Sequence, residues 1–132
     1  MCDDIQAINY NDTTTDPVCK YESDVVIWLD VTATQYFDSL GIPLLSVNAG
    51  NEVAGSMPTN AAFPGIVLCT DTNPEPIHYI YQWENEQMTT VTLTVSNTAS
   101  DIMFESIEDV LSDGCTRLQL TRDKIEAWQD SQ

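Results

Sequence analysis

The chain has 132 residues, of which 21 are Asp or Glu and 4 are Lys or Arg, so its formal charge is −17 at neutral pH. The length suits one domain and leaves no room for a second sizeable core, and the charge argues against direct DNA or RNA binding, because phosphates would be repelled. Ile, Leu, Val and Phe together make 32 residues, above the roughly one-fifth below which chains tend toward disorder, so a buried core is expected.

Residues 1–23 hold a short apolar patch, Ile5, Ala7, Ile8 and Tyr10, followed by the polar run Asn11 to Asp16 and then Pro17. This reads as an N-terminal arm or irregular lead-in to a single domain over 24–132. Val25 to Leu29 is a continuous run rich in β-branched residues, the pattern of a strand covered on both faces. Thr32 and Gln35 have capping-box spacing. Behind them Ala33, Tyr36, Phe37 and Leu40 trace one helix face, and Gly41 stands where a left-handed residue would stop it.

Ile42 to Val47 reads as an edge strand, held there by Pro43. Residues 48–62 are small and lightly charged, so a long loop is expected, of a kind often functional. Phe63 to Cys69 reads as a strand, and Asp71 to Pro76 as a stiff turn. Ile77, Tyr79, Tyr81 and Trp83 alternate with His78, Ile80 and Gln82; farther on, Val91, Leu93 and Val95 alternate with Thr90, Thr92 and Thr94. With Glu84 to Gln87 between them, these two runs predict an antiparallel hairpin with one threonine face. Ser100 is a plausible N-cap for a helix through Met103, Phe104, Ile107, Val110 and Leu111, closed by Gly114. Cys115 to Leu120 reads as a short strand, and Thr121 as the cap of a last helix anchored by Ile125 and Trp128. The sum is an α+β fold: one small domain, mostly antiparallel β-sheet, with two or three short helices.

Cys2, Cys19, Cys69 and Cys115 form no C-x-x-C pair, which removes the usual zinc and thioredoxin-like spacings. The start, Met-Cys-Asp-Asp, lacks an apolar leader segment, and no apolar run approaches a membrane span. Free thiols in a reducing cell are therefore expected.

His78 is the single histidine, so a catalytic triad would have to be built around it, and two-histidine metal sites are impossible. Phosphate-cradling glycine loops are absent. Arg117 and Arg122 are expected to pair with neighbouring carboxylates rather than clamp an anion. Asp71-x-Asn73-x-Glu75 places oxygen ligands at alternate positions but lacks the glycine and distant Glu of a calcium loop. No catalytic, cofactor or metal residue is assigned, and no enzyme activity is expected.

The acidity is concentrated: residues 1–113 carry 18 acids and one base, Lys20. It serves solubility, a basic partner, or mimicry of phosphate charge. The last would use Glu105, Glu108, Asp109 and Asp113 along the predicted 101–113 helix, in an acidic inhibitor of a nucleic-acid-binding enzyme. The leading expectation is a structural, non-enzymatic assembly protein that binds other protein subunits. Its form would be a virion component, such as a capsid decoration, head–tail or tail protein, assembled in the host cytoplasm. Its contacts are expected from the loop (Asn48, Asn51, Glu52, Val53, Met57) and the arm (Ile5, Ile8, Tyr10), with neither nucleic acid nor membrane as partner.

Overall fold

The computed structural model describes residues 2–10, 18–63, 65–71 and 76–132. Nine elements follow in order: β1 (Lys20–Leu29), α1 (Val31–Ser39), β2 (Leu44–Ala49), β3 (Glu52–Pro58), β4 (Ile77–Glu84), β5 (Met88–Ser96), β6 (Ile102–Leu111), β7 (Cys115–Leu120) and α2 (Arg122–Asp130). The architecture is a small, mostly antiparallel β domain with two helices. Strands dominate the α+β mixture, and no described helix is long and apolar enough to cross a membrane.

The strands make two sheets, one of three in the order β4-β1-β7 and one of four in the order β3-β2-β5-β6. Every pairing is antiparallel except β1 with β7. The sheets face each other across one core, with β3 beside β4 at one margin and β6 beside β7 at the other. Val25, Ile27 and Leu29 of β1 meet Leu45, Val47 and Ala49 of β2 and Val91, Leu93 and Val95 of β5 there. Because β1 and β7 run parallel and each leads straight into a helix, both helices leave from the same end. Phe37 of α1 and Ile125 of α2, both fully buried, close the core at that end.

The run Val25 to Leu29 is buried on both faces, as its composition predicts. Val26 and Trp28 point away from the main core and are covered by Val67, Phe63 and Cys69. The covering stretch is not the strand expected over 63–69. β1 already has β4 and β7 as neighbours, so the chain crosses the outer face instead. It is held by Phe63 N–H donating to Leu29 O and by the Cys69–Cys115 disulfide.

Both helix ends at Gly41 and Thr121 match the sequence reading. Ile42 N–H donates to Phe37 O and Gly41 N–H to Asp38 O, with Gly41 at φ 70°. That is the paired-bond C-terminal motif a glycine permits. The Thr121 hydroxyl accepts from Lys124 N–H. The cap of α1, however, is Asp30 rather than Thr32: its carboxylate accepts from Ala33 N–H at 2.8 Å and from the Thr32 hydroxyl at 2.7 Å.

Five further expectations are corrected. The strand expected at an edge, β2, lies between β3 and β5. Residues 48–62 are not a loop: β2 and β3 form a hairpin whose two-residue turn is Gly50-Asn51, with Gly50 at φ 61°. The glycine-first pair suits the turns that match strand twist. β4 and β5 do not pair; β4 joins β1 and β5 lies between β2 and β6. Alternation reports which face is buried and is silent on which strand is the neighbour. The predicted 101–113 helix is strand β6. Ser100, at φ 66°, cannot serve as an extended N-cap; the Asn97 side chain organises the turn by accepting from Ala99 and Asp101 N–H. Glu105, Glu108, Asp109 and Asp113 therefore share no helix face. Finally, the cysteines are not free: Cys2 pairs with Cys19 and Cys69 with Cys115. The Asp71-x-Asn73-x-Glu75 calcium pattern lies partly outside the described residues.

Gly114 closes the β6–β7 turn where a Cβ would meet Leu111 O at 2.8 Å. Gly114→Ala is expected to lower stability by about 1–3 kcal/mol in denaturant unfolding. The disulfides span 17 and 46 residues, and chain-entropy arguments assign them about 3 and 4 kcal/mol. Non-reducing peptide mapping is expected to recover Cys2–Cys19 and Cys69–Cys115, and no other pairing.

Candidate functional site

The inward row of β4 runs Ile77, Tyr79, Tyr81, Trp83, buried at Ile77 and half-open thereafter. Trp83 lies opposite Tyr21 of β1, with ring centroids 6.0 Å apart, and at the same distance from Tyr81. Its indole N–H donates to Glu86 O. This aromatic row marks the end of β1 opposite the helices.

The segment from Cys2 to Tyr10 folds back onto that row. Cys2 and Ala7 are buried against Tyr21 and Trp83. The Asn9 side chain extends the start of β1, accepting from Lys20 N–H at 2.9 Å and donating to Val18 O at 2.8 Å. Ile8 N–H donates to Lys20 O. Asp4 is the central tie. Its carboxylate accepts from Tyr21 O–H at 2.6 Å, Gln87 Nε2 at 2.7 Å and Gln6 N–H at 3.0 Å. Ser112 Oγ, in the β6–β7 turn, donates to Gln6 O. The lead-in is thus fastened to its own domain by a disulfide and a hydrogen-bonded carboxylate. The polar run before Pro17 lies outside the described residues.

From the other side, the β2–β3 turn reaches the same row, where Glu52 accepts from Tyr79 O–H. Between the two lies an open groove of about 290 Å³ lined by Ile8, Lys20, Glu52, Gln82, Trp83 and Glu84. Ile8 and Glu52, from the two stretches singled out in the sequence as contact segments, are brought together here. Ile5, at 75% exposure, and Ile8 and Tyr10, at 47% and 45%, present their side chains to solvent. Asn51 is exposed in the turn. Val53, at 72% exposure, and the half-buried Asn48 form a cross-strand pair on the outer face of the four-stranded sheet. Met57 is elsewhere: it is 2% exposed, inside the main core. Trp83, Gln82, Glu84 and Lys20 were not among the predicted contacts. The one signal for them is that the apolar alternation runs on through Trp83 directly into the acidic turn.

His78 is exposed on the outward row of β4, level with Val26. Arg122 pairs with Glu126 at 2.8 Å and sits 5.5 Å above the Tyr36 ring, as a structural cation does. Among the described residues, no three His, Cys, Asp or Glu side chains are grouped to hold a metal ion. Comparison with protein-family models, with curated proteins and with solved structures finds no match to this chain.

Hydrogen bonds, above all from Tyr21, hold the Asp4 carboxyl below its usual range, and the same bond pushes the Tyr21 phenol up to about 12. The Asp4 contribution to docking of residues 2–10 is present above the unfolded carboxyl value of 3.8 and is lost as pH falls through the lower folded value. The Tyr21 contribution is present below 10 and is lost as pH rises through about 12. Absorbance titration of phenolate is expected to show Tyr21 titrating late, and Asp4→Asn to return it toward 10.

Proposed function

We propose that this chain is a non-enzymatic assembly protein, working by protein–protein contact. The observation that carries the reading is that two sequence-distant segments meet at one groove, Ile8 of the first and Glu52 of the second lining it. Both are tied into the fold, one by a disulfide and the Asp4 bonds and the other by strand pairing, yet both leave large side chains in water. Ile5 and Ile8 sit on a stretch closed by Cys2–Cys19, and Val53 on a tight hairpin. Exposed aliphatic residues on a fastened surface lose the free energy of burial unless a partner covers them, about 1.5–3 kcal/mol for each large side chain.

The concrete form of the proposal is a virion component: a capsid-decoration, head–tail or tail protein. Two disulfides suit a particle surface, where oxidising surroundings maintain them. In that setting the bridges close after the subunit leaves a reducing cytoplasm. The charge of −17 keeps unassembled subunits apart and leaves a nearby nucleic acid ungripped. Assembly is then driven by a partner that covers Ile8 and Trp83 at the groove and the exposed Ile5.

Particles purified from the native source on a density gradient provide the test. The chain is expected to band with them in stoichiometric amount, and an Ile5→Asp, Ile8→Asp double variant is expected to stay at the top of the gradient while keeping the wild-type melting temperature within a few degrees. Wild-type chain that never enters the particle band, or a double variant that still bands, contradicts the proposal.

A further inference from the structure

The four-stranded sheet has a second surface, distinct from the groove. Its inner face is core, while its outer face is left to solvent across all four strands. Register places Ser56, Ser46, Ser96 and Ile102 in one outward row and Val53, Asn48, Thr94 and Glu105 in the next; then come Thr92 with Ile107, Thr90 with Asp109 and Met88 with Leu111. Near the centre of β6 stands Ile107, 73% exposed, between Glu105 and Asp109 on the same strand face. The four strands contain no Lys, Arg or His at all. A long edge strand with an outward isoleucine invites pairing with any chain, and this edge carries a charge turned inward, Glu108, half-buried and bonded to Ser106 Oγ. Inward charge is a device that discourages edge-to-edge addition. What remains open to a partner is therefore the face, not the edge.

We propose that this outer face docks a basic protein surface, through arginine or lysine side chains whose aliphatic stems cover Ile107 and whose charges reach Glu105 and Asp109. Charge complementarity selects this occupant. A two-fold pairing of the face with a second copy sets Glu105 and Asp109 against the same carboxylates, and each copy brings −17. Phosphate-bearing partners meet the same repulsion. Arginine and lysine fit because their stems are apolar and only their tips are charged. The outer face of the other sheet also exposes an isoleucine, Ile80, across from Asp24, but its charge is mixed. Its carboxylates Glu22 and Asp24 of β1 share the sheet with Lys20 and Arg117, and Val26 and Trp28 are already covered.

The test is amide NMR on the oxidised full-length protein, titrated with a synthetic ten-residue peptide alternating arginine and leucine. Saturable shifts are expected at Thr92, Thr94, Glu105, Ile107 and Asp109, weakening between low and high salt. Ile107→Thr, a change at a solvent-exposed strand position that leaves the fold intact, is expected to weaken binding about tenfold. Glu105→Gln with Asp109→Asn is expected to flatten the salt dependence, and Ile80→Thr on the other sheet to leave affinity within about twofold. Shifts centred on Glu22, Asp24 and Glu84, or an Ile107→Thr protein that binds as wild type, overturn the proposal in favour of unselective attraction to a polyanion. Light scattering that shows a dimer dispersed by Ile107→Thr overturns it in favour of a second copy. Neither result bears on the groove variants Ile5→Asp and Ile8→Asp.

Discussion

Five consecutive apolar side chains, Val25 to Leu29, have to be kept from water, and a strand does this only when both its faces are covered. The rest of the structure follows from that demand. One face of β1 is met by the four-stranded sheet; the other is met by the irregular stretch around Val67, held down at Leu29 and at Cys115. Its two edges are taken by β4 and β7. The parallel partner β7 sets both helices at one end and leaves the opposite end for the N-terminal segment. Filling that end with Cys2, Ala7 and the Asp4 ties completes the burial of Tyr21, and the aromatic row beside it becomes one wall of the groove.

Charge and burial divide the molecule by role. The main core contains no ionisable group among its fully buried residues. The carboxylates lie outside it, where they cost little and hold molecules apart. Against that background, the places where aliphatic groups reach water carry information. Ile8 lines the groove, and Ile107 stands between two carboxylates on the outer face of the four-stranded sheet, where Val53 is exposed as well. The first surface is tied down by a disulfide and the second belongs to a paired sheet, and pre-organisation of that kind lowers the ordering cost of association.

The sequence reads clearly where local chemistry decides the outcome. The double-faced strand, the glycine stop at Gly41 and the Thr121 cap each depend on a few adjacent residues, and each is present. It reads poorly where the outcome depends on distant partners. The apolar residues of 103–111 fit a helical period as well as a strand, and only pairing with β5 decides between them. The same holds for β4 and β5, whose apolar stripes are real but bury against opposite sides of one core rather than in one hairpin. The Gly50-Asn51 pair was a local signal for the β2–β3 turn, masked by the small, polar residues around it. Cysteine pairing is distant by nature: Cys69 and Cys115 are 46 residues apart and meet only because the 63–71 stretch crosses β1. For the site, Ile8 and Glu52 were legible as exposed candidates; their meeting at one groove was not, because Asp4 and Tyr79 arrange it through side-chain bonds that no spacing encodes.

Native-state hydrogen exchange tests the central place of β1 most directly. The amides of Val25 to Leu29 are expected to exchange only through global unfolding, with the slowest rates in the chain, and those of β4 and β7 facing β1 to follow closely. Rates in β1 no slower than those at the outer edges of β3 or β6, or a most-protected unit made of β4 and β5 together, would contradict a fold organised around a central strand covered on both sides.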